Sequence, residues 1–502
     1  MKTFPLLAAC AAIGCGSRDG AAPPAPERSG SSAAEVAPPA GPRPAPGADL
    51  VGPIPLPDRG DRGDHVGDGN DLDGAGRPAP GGPAPGGGAA KPPLDLMADR
   101  ALVRVDVPRP PLGGAVALDL GGERRGWVAS LPEPQQLPAL AYGDDRVYVS
   151  GGFRSISFYA LQATTGRAAW VTTGLEDNGP TAAIFEDDRV IFNTESCTIF
   201  ALDARTGRRL WRRYLGDPTL GQVALADGLV FAVHPTPDGH ALSALRVTDG
   251  APAWSGWIGS EVIAAPVIAG DSVYVSTLDG LTFRFTRQTG KLRWSRPLAA
   301  VTAPWIAGDE LYVTRRRGGK EQQVVASIET GQLLREHQLS GGAYAGDLPG
   351  RDSPEAVWAF EGSRPVVLRG VRYVAMGAEV HASDARTGEE LWRRRYPGPA
   401  DRRALGAVAV VGPAVAFATR DGKLFGLDAD TGATLWSFDL AVPIIAQPII
   451  ARGWLYASTT DGRVVAREVA DPTLDGWHMF GGSPRHDGPV APPPPPPRSR
   501  EG

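Results

Sequence analysis

ALDARTGRRLW (residues 201–211) is repeated as ASDARTGEELW (382–392) and GLDADTGATLW (426–436). Weaker copies are ALQATTGRAAW (160–170), ALRVTDGAPAW (244–254) and RFTRQTGKLRW (284–294). A seventh, ASIETGQLLR (326–335), ends in Arg335 where the others carry tryptophan. The turn glycines are Gly166, Gly207, Gly250, Gly290, Gly331, Gly388 and Gly432, at steps of 41, 43, 40, 41, 57 and 44 residues. A period of about 40–45 residues made of strand-like segments predicts a β-propeller, one four-stranded blade per period.

The residues before each Thr-Gly turn supply the other strands. In 265–294, Val267-Ile268 begins an inner strand and Gly270-Asp271 turns it. Val273, Val275 and Thr277 then alternate with Tyr274 and Ser276, a period of two. Asp279-Gly280 makes a tight hairpin that needs positive φ, as do Asp421-Gly422 and Asp461-Gly462. The tryptophans four residues past the glycines (Trp170, Trp211, Trp254, Trp294, Trp392 and Trp436) have the size and regularity of packing wedges between sheets.

Counting fixes the ring. After the seventh copy, 443–469 offers three strands and no fourth. ALDLGGERRGW (117–127) aligns with ALDARTGRRLW and puts Trp127 at the tryptophan position ahead of any complete blade. The chain from Arg124 to Leu131 is therefore expected to close the last blade. The fold class is all-β: an eight-bladed β-propeller of four-stranded antiparallel blades, the last closed by an N-terminal strand. Both 115–120 and 463–469 suit the third strand of that blade, and the sequence leaves the two open.

The Ala-Leu-Asp-Ala-x-Thr-Gly-x-x-x-Trp unit resembles the PQQ-like repeat of eight-bladed quinoprotein dehydrogenases and of BamB-type lipoproteins of outer-membrane β-barrel assembly. GWHMFGGSPRHDG (476–488) resembles a segment that flanks such repeats. The dehydrogenase side implies a quinone, a Ca²⁺ held by carboxylate and amide ligands, an aspartate base and, in alcohol-oxidising members, an adjacent Cys-Cys disulfide. Only Cys197 follows the signal region, next to a predicted strand, and no haem-attachment Cys-x-x-Cys-His is present. A buried small apolar role suits Cys197. The expectation is no enzyme, no cofactor and no catalytic residue. The BamB side implies binding of envelope proteins and of the β-barrel assembly machinery.

The flanks differ in kind. Gly (65) and Pro (49) make up 23% of the 502 residues, and 17 of each fall between Gly16 and Pro93. Such a segment buries too little apolar surface to offset its ordering entropy. Residues 16–100 are read as a tether, 101–488 as the propeller and 489–502, with six consecutive prolines, as a tail. MKTFPLLAACAAIGC (1–15) has the layout of an export signal ending in cysteine and resembles a lipoprotein signal. Cys10 follows the better lipobox. Cys15 leaves an apolar core of more normal length and is the expected lipid anchor. No acid follows either cysteine, which by resemblance points to the outer membrane. No apolar run is long enough for a spanning helix. The net charge of −5 gives no support to nucleic-acid binding.

Other candidate sites are sparse. His234, Asp238 and His240 offer fewer ligands than zinc wants and read as a loop. Arg315, Arg316 and Arg317 form a basic hairpin tip in the fifth blade. The 57-residue step marks an insertion, about 341–364, that carries Tyr344, Trp358 and Phe360. Loops that interrupt a repeat tend to carry function, so these six residues are the candidate interface.

Overall fold

In the computed structural model, residues 94–490 are described except 99, 119, 121–124, 217–220, 318–319, 339–363, 377, 398–404 and 470. The described strands form eight sheets. Blades 1 to 7 are antiparallel meanders at 141–172, 184–214, 224–257, 267–296, 305–338, 366–395 and 409–439. Each begins with a three-residue innermost strand, and the innermost strand of blade 8, Ile449–Ala451, adjoins that of blade 1 to close the ring. The architecture is the all-β eight-bladed propeller that the repeat predicts.

Blade 8 settles the open alternative. Arg463–Glu468 is its third strand, and Gly126–Ser130 pairs with it antiparallel as the fourth, with Trp127 opposite Ala466. Ala115–Ala117 lies beyond that as a fifth strand, Val116 opposite Val128.

The chain ahead of blade 8 runs along the outside of the ring. Leu94–Asp95 pairs parallel with the outer strand of blade 6, and Val103–Arg104 does the same on blade 7. The next residue of each step donates its N–H to the blade, Leu96 to the Arg395 carbonyl and Val105 to that of Asp439, both at 2.8 Å. Both side chains are buried. An apolar–polar–apolar step thus recurs on neighbouring blades and covers two outer edges, which otherwise present unpaired N–H and C=O groups.

Adjacent blades are joined by the repeat tryptophans. Trp170 donates its indole N–H to the Ala204 carbonyl of the next blade at 2.8 Å. Its ring lies on Gly207, whose φ is +73° and where a Cβ would stand 2.5 Å from the indole. The turn thus needs glycine for its backbone and for the ring against it. Trp127, Trp211, Trp254, Trp294 and Trp392 make the same bond to Ala163, Val247, Arg287, Ile328 and Ala429. Asp203 prepares the turn by accepting from the Thr206 amide and hydroxyl, and Asp384 and Asp428 do likewise for Thr387 and Thr431. Trp436 differs: it lies across Gly426 and its indole nitrogen finds no acceptor among the described residues. At the fifth blade Arg335 replaces the ring, with Nη2 3.4 Å from the Ala385 carbonyl.

Candidate functional site

A propeller offers a central channel and two faces. One face carries the turns between first and second strands and the Thr-Gly turns. The opposite face carries the hairpins between second and third strands and the connections between blades.

The channel is filled by the chain itself. Past blade 8, Ile450 and Trp477 exchange backbone hydrogen bonds (2.8 and 3.1 Å), so the chain runs along an innermost strand. Tyr142 then donates to the His478 carbonyl, Leu225 to that of Pro484 and Ile268 to that of Arg485, at 2.6, 2.8 and 3.0 Å. Those N–H groups belong to innermost strands of blades 1, 3 and 4, whose inner edges have no other strand to pair with. Trp477, Met479, Phe480 and His486 are all buried. Trp477 stacks on Trp305 at 6.4 Å and 3°.

A collar of small residues makes room for this segment. Ala139, Ala182, Ala265 and Ala303 each stand two residues before an innermost strand and pack with Phe480. At the same position blades 6 and 8 carry Arg364 and Gln447. Arg364 Nη2 donates to the carbonyls of Pro304 (3.0 Å) and His486 (2.6 Å). Gln447 accepts from the Gly481 amide at 3.0 Å and donates to the Val408 carbonyl at 2.8 Å. The His486 ring nitrogens lie 2.8 Å from the carbonyls of Phe480 and Val223. The segment is thus held from five blades. The sequence marks GWHMFGGSPRHDG only as a flank. Its paired glycines and buried-type aromatics, in a tail otherwise rich in proline, are the signal that it packs inside.

These residues do not fit a quinone with its calcium. The ring centre is packed with Trp477, Phe480 and His486. Among the described residues no three His, Cys, Asp or Glu side chains converge as a metal cage. Cys197 is buried in blade 2 with its thiol 3.5 Å from the Val233 carbonyl. His234 Nε2 lies 2.8 Å from the Ser243 hydroxyl, and His240 lies 3.5 Å from Glu261. No catalytic step through a quinone is derived.

The connection face holds the hairpin of blade 5. Arg315 is tied down by Glu336 at 2.6 Å and Gln322 at 3.0 Å, whereas Arg317 is exposed. Arg316 is described only by its strand pairing with Glu321. Tyr344, Trp358 and Phe360 lie outside the described residues, as do Cys10 and Cys15. The described residues bring different apolar groups to this face: Phe153 and Ile156 in blade 1, Tyr214 ending blade 2 and Trp257 ending blade 3, each about half exposed. Phe153 and Ile156 sit in a long loop, 151–157, where blade 3 turns within Thr236–Gly239. That extra length is the sign the sequence carries.

The sequence profile described as "Outer membrane protein assembly factor BamB" matches residues 113–332 and 376–484, well over half of the chain. The assembly factor BamB of Yersinia pestis is 26% identical over 299 residues, covering 54% of this chain and 72% of the relative. That of Burkholderia pseudomallei is 24% identical over 298 residues, covering 54% and 71%. Quinoprotein alcohol dehydrogenase PedH of Pseudomonas putida is 34% identical, but over 126 residues, 21% of each chain. The solved structure of BamB from Moraxella catarrhalis superposes with a TM-score of 0.53 at 19% identity, covering 70% of this chain and all of that one. The repeat, the eight-bladed ring and the extent of the profile match agree, and the chain belongs to the family of outer membrane protein assembly factor BamB.

Proposed function

We propose that this chain is a non-catalytic scaffold of the cell envelope that takes part in outer-membrane protein assembly by binding components of the β-barrel assembly machinery. The observation that carries this reading is the filled channel. The place where a propeller enzyme would hold a small molecule is occupied by Trp477, Phe480 and His486, tied in by Arg364 and Gln447. The faces and rim are left to do the binding. The connection face is the better candidate, because exposed aromatics are the usual anchors of a protein interface, and Phe153, Ile156, Tyr214 and Trp257 stand there. A lipid on Cys15, or on Cys10, followed by the Gly/Pro-rich segment would hold this disc near the membrane.

The test is site-directed photocrosslinking in cells. Probes at Phe153 and Trp257 are expected to capture a barrel-assembly component, and probes at Arg208 and Arg386 on the opposite face are not. Absence of any assembly component from either face, with unchanged outer-membrane protein levels on deletion, overturns the scaffold reading.

A further inference from the structure

The joint between blades 5 and 6 is built unlike its neighbours. Arg372 is the second residue of the second strand of blade 6, Val371–Met376, opposite Val367 and Ser383. The other seven blades place valine or leucine there, Val147, Val273 and Leu455 among them, all buried. Arg372 is only 3% exposed, and its Nε and Nη1 have no hydrogen-bond partner among the described residues. Its alternation in the strand, opposite to Tyr373, turns it toward blade 5. Across the joint, burial and the charges of Arg372 and Arg335 hold the His337 imidazole toward its neutral form. His337 takes the place of the missing tryptophan against Gly388, where a Cβ would stand 2.5 Å from its Nδ1. Its Nε2, the Arg335 Nε and the Ser383 hydroxyl are also buried without partners among the described residues.

The acids nearby are already engaged. Glu310 receives both terminal nitrogens of Arg335 at 2.6 Å and the Tyr312 hydroxyl at 2.6 Å. Glu379 stands 3.3 Å from His381 and 3.9 Å from Arg393. No described carboxylate answers Arg372, and a buried charge without an answering one is costly. The family profile breaks off at residue 332 and resumes at 376, so Arg335, His337 and Arg372 lie outside the matched residues.

We propose that this joint binds a small phosphate-type oxyanion, with Arg372 as its charge partner and the His337 Nε2, Arg335 Nε and Ser383 hydroxyl as further hydrogen-bonding groups. A planar guanidinium suits an oxyanion's paired oxygens, and a dry joint makes that pairing strong.

The test is calorimetric titration of the phosphate-free full chain with inorganic phosphate, with chloride at matched ionic strength as reference. One phosphate per chain is expected, with a thermal midpoint raised by on the order of a few degrees at saturation. Arg372→Val installs the residue of the other blades; it is expected to fold and to lose phosphate binding at least about tenfold. His337→Gln is expected to weaken binding less, and Arg208→Ala, in an exposed turn of blade 2, to leave it unchanged. Undiminished binding in both Arg372→Val and His337→Gln, or no phosphate heat with the wild-type chain at millimolar concentration, overturns the proposal.

Discussion

The joint between blades 2 and 3 and the joint between blades 5 and 6 solve one geometric problem with different chemistry. In the first, Trp211 lies over Gly250 and donates to the Val247 carbonyl at 2.8 Å, among apolar neighbours such as Val230 and Leu245. In the second, Arg335 reaches toward the Ala385 carbonyl, His337 lies on Gly388, and Arg372 faces them from blade 6. At both joints a flat group lies over the glycine and a donor reaches the carbonyl. One indole supplies both, and replacing it takes two side chains and a half-buried ion pair. A propeller therefore tolerates a polar joint when its neighbours keep the ring closed.

Removing the indole tests the first half of the comparison. Trp211→Ala is expected to cost about 3–5 kcal/mol in denaturant unfolding, from lost burial and the cavity left behind. A loss below about 1 kcal/mol would show that the tryptophans are not what joins the blades. Removing the guanidinium tests the second half. Arg335→Gln is expected to cost about 1–3 kcal/mol at pH 7, because the Glu310 carboxylate loses two charged hydrogen bonds. The Arg335 guanidinium holds the Glu310 carboxyl below the usual carboxylate range. Its contribution is thus present above the ordinary glutamate pKa and lost as pH falls through the lowered one. The gap between wild type and Arg335→Gln should therefore narrow as pH falls below the ordinary glutamate range, and a constant gap contradicts the ion-pair account. Arg208→Ala, an exposed cation beside the Gly207 turn, sets the baseline at under about 0.5 kcal/mol.

Much of this is legible in the chain's own residues. The Thr-Gly period marks seven blades, Trp127 marks the closing strand, and Arg335 stands out as the one copy without its tryptophan. Arg372 is not legible: an arginine between Val371 and Tyr373 in a strand reads as the solvent side of an alternating pattern. Only the pairing register places it in the buried row. The channel segment escapes notice because its backbone pairs with strands of blades 1, 3, 4 and 8, and a contact with residues hundreds of positions away leaves no local periodicity. Nor is the ion pair that holds Arg315 legible, because Arg315 stands on the second strand of blade 5 and Glu336 on the fourth.

The sequence by itself determined the number of blades, their phase and the ring closure, because each depends on short-range turn chemistry repeated at a fixed interval. Tertiary structure alone decided that Leu94 and Val103 become strands and that Trp477 to Arg485 fills the centre. These segments are too short to fix their own conformation. They settle on open sheet edges, whose N–H and C=O groups must be satisfied, and only the assembled ring brings those edges to them.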